Sequence, residues 1–226
     1  MVLHAVDEVA RSAACGAGLL IADTSEDEDE DDADVADLMT GYGLMTQEIV
    51  DQLRASGVER AMHRFEQAGV SVLAAARAEG VRGQMAGDRC VIVVESDRAP
   101  RVAVALKAGY VQRVPGDLRT SAEMLSCGKA SAPALKILLR NDAKVITVSE
   151  AELSNAVTTL SYHGGPITTP SGAAGLAGLI TTLPRSPLAR ELGIDENSRV
   201  LLIATEGPVP VGDEVGPPLS SSSPPR

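Results

Sequence analysis

Five short apolar runs, GLLIAD (18–23), MHRFEQ (62–67), CVIVVES (90–96), KVITVS (144–149) and VLLIAT (200–205), are separated by longer stretches with helical periodicity. Antiparallel strands can be joined by a tight turn, whereas parallel strands need a crossover of about a dozen residues or more, usually a helix. The alternation therefore predicts an α/β fold: a three-layer, open, mostly parallel sheet with helices on both faces. Helices are expected near 5–14, 36–56, 71–80, 98–108, 132–140, 149–162 and 171–182, and YVQRV (110–114) reads as a further short strand. At the start of the 149–162 helix, Ser149 and Glu152 have the spacing of a capping box. One run conflicts with the pattern. The strand at 62–67 carries His63, Arg64 and Glu66 where a central parallel strand should be apolar, so it is expected at an edge or weakly paired.

Charge and composition remove several function classes. The net charge of −11 argues against nucleic acid or an anionic membrane surface as partner, since both are gripped by clustered Lys and Arg. Aromatics are 2% of the chain, so platforms for stacking bases are missing and the core must be built from Ala, Val, Leu and Ile. Residues 25–34, SEDEDEDDAD, repel one another too strongly to pack and read as a solvated loop. They lack the turn glycine and ligand spacing of a calcium loop. Cys15, Cys90 and Cys127 show no pairing pattern and suit a reducing cytoplasm, and His4, His63 and His163 have no metal spacing, so no metal is expected. No apolar run reaches the roughly 18 residues of a membrane span. After Gly207 the chain turns into a Pro- and Ser-rich stretch, 208–226, that reads as disordered.

In open parallel sheets ligands bind at the carboxyl ends of the strands. Three turns stand there: ADTS after the first run, QAGVS (67–71) after the second, and ATEG (204–207) after the last. QAGVS opens directly into VLAAARAEG, which puts free backbone N–H groups and a helix dipole where an anion would be stabilised. The same pattern also describes an ordinary strand-to-helix turn, and it matches neither GxGxxG nor a P-loop. In TTPSGAAGLAGL (168–179) Ser171 can cap a helix whose small residues permit close approach, either to the sheet or to a flat ligand. Thr205 places a hydroxyl at a strand end.

In order and spacing these pieces resemble the pyridoxal-phosphate enzymes of fold type II, tryptophan synthase β-like in fold, and most closely the diaminopropionate ammonia-lyases. The stretches carrying the likeness are IADT (21–24), MTGYGLMTQEIVDQL (39–53), QAGVSVLAAA (67–76), VIVVESDRA (91–99), GDLRTSAEMLSCGKASAPALKIL (116–138), SGAAGLAGL (171–179) and SRVLLIATEG (198–207). The resemblance implies that Ala68, Gly69, Val70 and Ser71 surround the phosphate of pyridoxal 5'-phosphate. It implies further that Thr205 faces the pyridine nitrogen as a neutral partner, and that Asp23 is the base that takes the substrate Cα proton. The reaction implied is α,β-elimination of 2,3-diaminopropionate, a small amino-acid substrate, to pyruvate and ammonia.

On the same resemblance, residues 1–24 are the last helix and strand of a smaller domain, 25–34 the acidic loop, and 35–207 the C-terminal part of a large cofactor-binding domain. The lysine that such enzymes bond to the cofactor has no counterpart here, because Lys107, Lys129, Lys136 and Lys144 stand in other contexts. The chain is thus expected to be incomplete and inactive by itself, and to form a homo-oligomer or pair with a chain carrying the missing half. A non-catalytic remnant acting as a weak cofactor-binding or interaction domain is the alternative, and serine/threonine dehydratase-like chemistry is the alternative within the family. Local departures bear on the phosphate turn: Ser71 stands where the family has a second glycine, Glu66 brings a negative charge next to the turn, and Thr169 and Pro170 replace a glutamate before SGAAG.

Overall fold

The computed structural model describes residues 32–58, 62–69, 71–81, 84, 90–182 and 186–207. The expected helix and strand of residues 1–24, Asp23 among them, most of the acidic run, Val70 and the 208–226 tail lie outside the described residues. Among the described residues no helix is long and apolar enough to cross a membrane, and no cluster of His, Cys, Asp and Glu could hold a metal ion.

The elements follow in the order α1 (Asp32–Ala55), β1 (His63–Gln67), α2 (Val72–Val81), β2 (Cys90–Ser96), α3 (Arg101–Ala108), a 3₁₀ turn (Glu123–Leu125), α4 (Ala132–Arg140), β3 (Lys144–Val148), α5 (Glu150–Tyr162), α6 (Pro170–Thr182), α7 (Pro187–Glu191) and β4 (Val200–Leu202). Helix α1 takes in residues 32–34, the end of the run read as a loop. Among the described residues the four strands form one sheet in the order β3-β2-β1-β4, and every pairing is parallel. Phe65 marks the register, lying opposite Ile92 on one side and Leu202 on the other.

Two apolar layers cover the sheet. On one face Val91 and Val93 of β2 pack with Val72, Ala75 and Ala78 of α2, Val102 and Ala105 of α3, and Leu135 and Leu138 of α4. On the other, Phe65, Ile92, Val94, Ile146 and Val148 meet Leu153 and Ala156 of α5 and Ala173, Ala174 and Ala177 of α6. This is the expected three-layer arrangement, and the alternation along β2 shows why the run reads as apolar at nearly every position: both of its faces are buried.

Two expectations are corrected. Segment 110–114 is not a strand; within it Val114 N–H donates to Gly128 O at 2.8 Å. More consequentially, β1 is central, with all five residues buried between β2 and β4. Its polar side chains are tolerated because each reaches a partner. Arg77 of α2 lies 2.8 Å from the Glu66 carboxylate, Arg64 donates to the Arg77 carbonyl at 2.8 Å, and His63 Nε2 sits 2.9 Å from the Leu192 carbonyl. Burial draws the Arg77 guanidinium below its usual range; Glu66 opposes this and the nearby Arg64 adds to it.

Candidate functional site

The turn after β1 is set by the sheet on one side and by an arginine on the other. Ala68 N–H continues the β1–β2 ladder to Val94 O at 3.1 Å. Its carbonyl accepts from Arg101 Nη2, while Arg101 Nη1 donates at 2.9 Å to both Ala99 O and Leu125 O. Arg101 is fully buried and lies 3.3 Å from Glu95, whose two oxygens accept from the Val102 and Ala103 amides at the start of α3. Burial raises the Glu95 carboxyl, and Arg101 and those two amides oppose the rise. One guanidinium thus joins the β1 turn, the β2 exit and the 3₁₀ turn. Gly69 must be small at this junction, since a Cβ there would lie 3.0 Å from the Met124 carbonyl.

Ser71 is the strained point of the turn. It precedes the first residue of α2 with φ at 80°, in the left-handed region, at a cost of about 1–2 kcal/mol for a residue with a Cβ. A serine before a helix ordinarily has extended φ/ψ and accepts from an amide of the first turn. Here the Ser71 hydroxyl is buried with no hydrogen-bond partner among the described residues. Strain and an unsatisfied buried donor at one residue are features that cluster at ligand sites.

Thr205 lies beyond β4, which ends at Leu202 rather than continuing to 205. Gln67, the last residue of β1, connects the two turns: its Nε2 donates to Ile203 O and to Thr205 Oγ1, each at 2.9 Å. Helix α6 closes against the same corner. A Cβ on Gly175 would lie 3.0 Å from Phe65 O and 3.6 Å from Gln67 Oε1, so close helix-to-sheet packing accounts for the small residues here. The cap of α6 is Thr169 rather than Ser171: Thr169 Oγ1 accepts from Gly172 N at 3.2 Å, and Pro170 occupies the first helical position. Ser171 lies within the helix and accepts from Met124 N at 3.2 Å, fastening the 3₁₀ turn to α6. Thr168 donates at 2.6 Å to the Glu206 carbonyl, and Thr169 bonds the Glu206 carboxylate.

A second carboxylate fastens the rim. Glu150 accepts from Thr120 Oγ1 at 2.5 Å, Ser121 N at 2.8 Å and Ser96 Oγ at 3.5 Å. Burial pushes its carboxyl up, but the bonds from Ser121, Thr120 and Ser96 prevail and hold it below the ordinary range.

Of the residues singled out from sequence, Ala68, Gly69, Ser71 and Thr205 are therefore brought to one end of the sheet; Asp23 and Val70 lie outside the described residues. Glu66 does not load the turn with uncompensated charge, because Arg77 pairs with it. Gln67, Arg101 and Glu150 were not singled out. A glutamine ending a buried strand was the available signal for the first; an arginine or glutamate in an amphipathic helix carries none. Lys107 and Lys136 are exposed on helices, and Lys144 opens β3 at the end of the sheet opposite the turns, 3.0 Å from Asp142.

The arrangement offers an anion a helix N-terminus with an unused hydroxyl, and offers a flat ring a hydroxyl at Thr205. Comparison with known proteins points the same way. The family model described as pyridoxal-phosphate dependent enzyme matches residues 3–206. Diaminopropionate ammonia lyase from Escherichia coli superposes with a TM-score of 0.72 at 26% identity, over 89% of this chain and 52% of that one. Serine racemase from Dictyostelium discoideum gives 0.62 at 21% identity, over 76% and 50%, and a threonine deaminase from T.th. gives 0.61 at 23%, over 76% and 58%. The last two show likeness of fold alone. The chain spans about half the length of the solved structures it matches. No curated protein matches it.

Proposed function

The chain belongs to the family of pyridoxal-phosphate dependent enzymes, and from that premise we propose that its β1 turn receives the phosphate of pyridoxal phosphate, the cofactor that membership implies, for α,β-elimination on a small amino acid. The observation that carries the reading is Ser71: a buried hydroxyl without a partner among the described residues, in a strained turn at the mouth of α2. A phosphate there would accept from that hydroxyl and from the amides of Gly69 and Ser71, so the chain's own residues fit the group.

When bound, pyridoxal phosphate supplies an electron sink for the pair released at the substrate Cα. The chain's part is to bind and orient. The turn Ala68–Ser71, with Val70, would hold the phosphate, Thr205 would serve the ring nitrogen as a neutral partner, and Asp23 would be the base for the Cα proton. Arg101 keeps the turn in register with the 3₁₀ turn, and Gly175 lets α6 close on the same corner.

Diaminopropionate is the substrate we favour, because the Escherichia coli diaminopropionate ammonia lyase is matched over more of this chain than threonine deaminase is. A serine/threonine dehydratase-like reaction is the competitor within the family. Association with a second chain, in a cytoplasmic setting, completes the proposal; the exposed apolar side chains of Leu44, Tyr162 and Ile167 support it. The test is to supply the chain with pyridoxal phosphate and, in turn, 2,3-diaminopropionate, L-serine and L-threonine, and to follow ammonia and 2-oxo acid. Faster release from diaminopropionate supports the reading. Preference for a hydroxy amino acid replaces the substrate, and cofactor binding without turnover of any of the three favours a non-catalytic binding role.

A further inference from the structure

We propose that Gln67 is a positioning residue that turns the Thr205 hydroxyl proton toward the ligand, so that the site selects a ring whose nitrogen is an acceptor. The inference rests on the cofactor reading above and concerns a residue which that reading does not use.

The Gln67 side chain approaches the Ile203 carbonyl and Thr205 Oγ1, both at 2.9 Å, through the same terminal atom. A backbone carbonyl can only accept, so the atom facing it must be the NH₂ group and not the amide oxygen. One N–H is spent on Ile203, and the other points at Thr205 Oγ1. The hydroxyl therefore receives a bond along that line, and its own proton must lie elsewhere. Among the described residues Thr205 makes no bond in which that proton is donated to the protein. Thr205 is exposed, whereas Gln67 is buried, so the proton is left to whatever occupies the site.

The surroundings hold Gln67 in this pose. Its Oε1 is buried and has no partner among the described residues, an unfavourable arrangement that the fold retains. Rotating the amide to satisfy Oε1 at Thr205 would set two acceptors against each other at Ile203. Gly175 leaves the space the side chain occupies, with a would-be Cβ only 3.6 Å from Oε1. A hydroxyl presented as a donor favours an unprotonated ring nitrogen over its protonated form, which would require an acceptor. Gln67 thus biases the protonation of the ring without touching it.

The experiment uses the full chain and pyridoxal phosphate labelled with ¹⁵N in the ring, read by NMR across pH. With the wild-type chain, the bound nitrogen should resonate as an unprotonated, hydrogen-bonded acceptor. In Gln67→Glu the carboxylate captures the Thr205 proton, and the resonance should move toward that of the protonated ring, with the pH of its transition rising by about one unit. Gln67→Met, which removes the donors without adding charge, should move it in the same direction by less. Thr205→Val should abolish the difference that Gln67→Glu makes, an outcome that general loosening of the fold would not produce. Bound cofactor with an unchanged transition in both Gln67 variants overturns the inference and leaves the cofactor reading standing. Failure of the wild-type chain to bind pyridoxal phosphate overturns both.

Discussion

Arg77 reaches across from α2 to place its Nη2 2.8 Å from Glu66 Oε2, and this pair is what lets a charged strand occupy the middle of the sheet. Both side chains are buried, and Arg64 stands close enough to depress Arg77 further. Removing one member of such a pair leaves the other charge buried without compensation. Glu66→Gln should therefore cost about 3–5 kcal/mol in urea unfolding. Glu66→Leu combined with Arg77→Met should cost clearly less than the sum of the two single changes. Additive losses would mean that the two groups are stabilised separately.

Ser71 makes an opposite prediction for stability and binding. Ser71→Gly removes both the left-handed strain and the buried hydroxyl without a partner, and should stabilise the cofactor-free chain by about 1–2 kcal/mol. The same change should weaken pyridoxal phosphate about tenfold to a hundredfold, the worth of one hydrogen bond to a charged group. Thermal melts with and without cofactor separate the two effects. A variant that is both more stable and equally tight would make Ser71 mere strain.

Arg101 tests how the turn is held. Arg101→Met keeps the bulk but leaves Glu95 buried without its cation and frees the carbonyls of Ala68, Ala99 and Leu125. Unfolding should become easier by about 3–5 kcal/mol. Arg101→Lys should recover only part, since a point charge cannot span acceptors that a planar fork reaches together. Full recovery by lysine would reduce Arg101 to its charge.

Acid should weaken the site end of the fold first. The Ser149 amide holds the Glu152 carboxyl below its ordinary range against the opposing effect of burial, with the Ser149 and Thr181 hydroxyls assisting, and Glu150 is likewise lowered. A carboxyl whose folded pKa is depressed contributes stability above its unfolded value of about 4.3 and loses it as pH falls through the lower folded value. Stability should therefore drop below about pH 4.5. Glu150→Gln and Glu152→Gln should each flatten that slope in urea titrations; a slope unchanged in both variants would contradict it.

Several features of this fold were legible because they are local. β2 matches its apolar run from Cys90 to Ser96, and the capping box of Ser149 and Glu152 forms as its spacing demands. The central place of β1 was not legible, because the compensation for Glu66 comes from Arg77, eleven residues along the chain and on another element. YVQRV has the alternation of a strand, yet its Val114 amide bonds to Gly128 in a neighbouring loop and no strand among the described residues pairs with it. Pro170 could have pointed to Thr169 as the cap of α6 in place of Ser171, since proline favours the position just after a cap. At the site, the turn and Thr205 follow from their places after strands. Gln67 and Arg101 do not, because a long polar side chain declares its partner only when distant segments are brought together.

The central claim is that the turn from Ala68 to Ser71 binds a phosphate attached to a ring held at Thr205. Equilibrium binding of pyridoxal phosphate and of pyridoxal, measured side by side on the same chain, tests it most directly. The account predicts that the phosphorylated form binds at least about tenfold tighter, a difference of about 1.4 kcal/mol, and that Ser71→Gly narrows the gap whereas Thr205→Val weakens both ligands alike. Equal affinity for the two ligands, or a phosphate preference indifferent to Ser71, would contradict it.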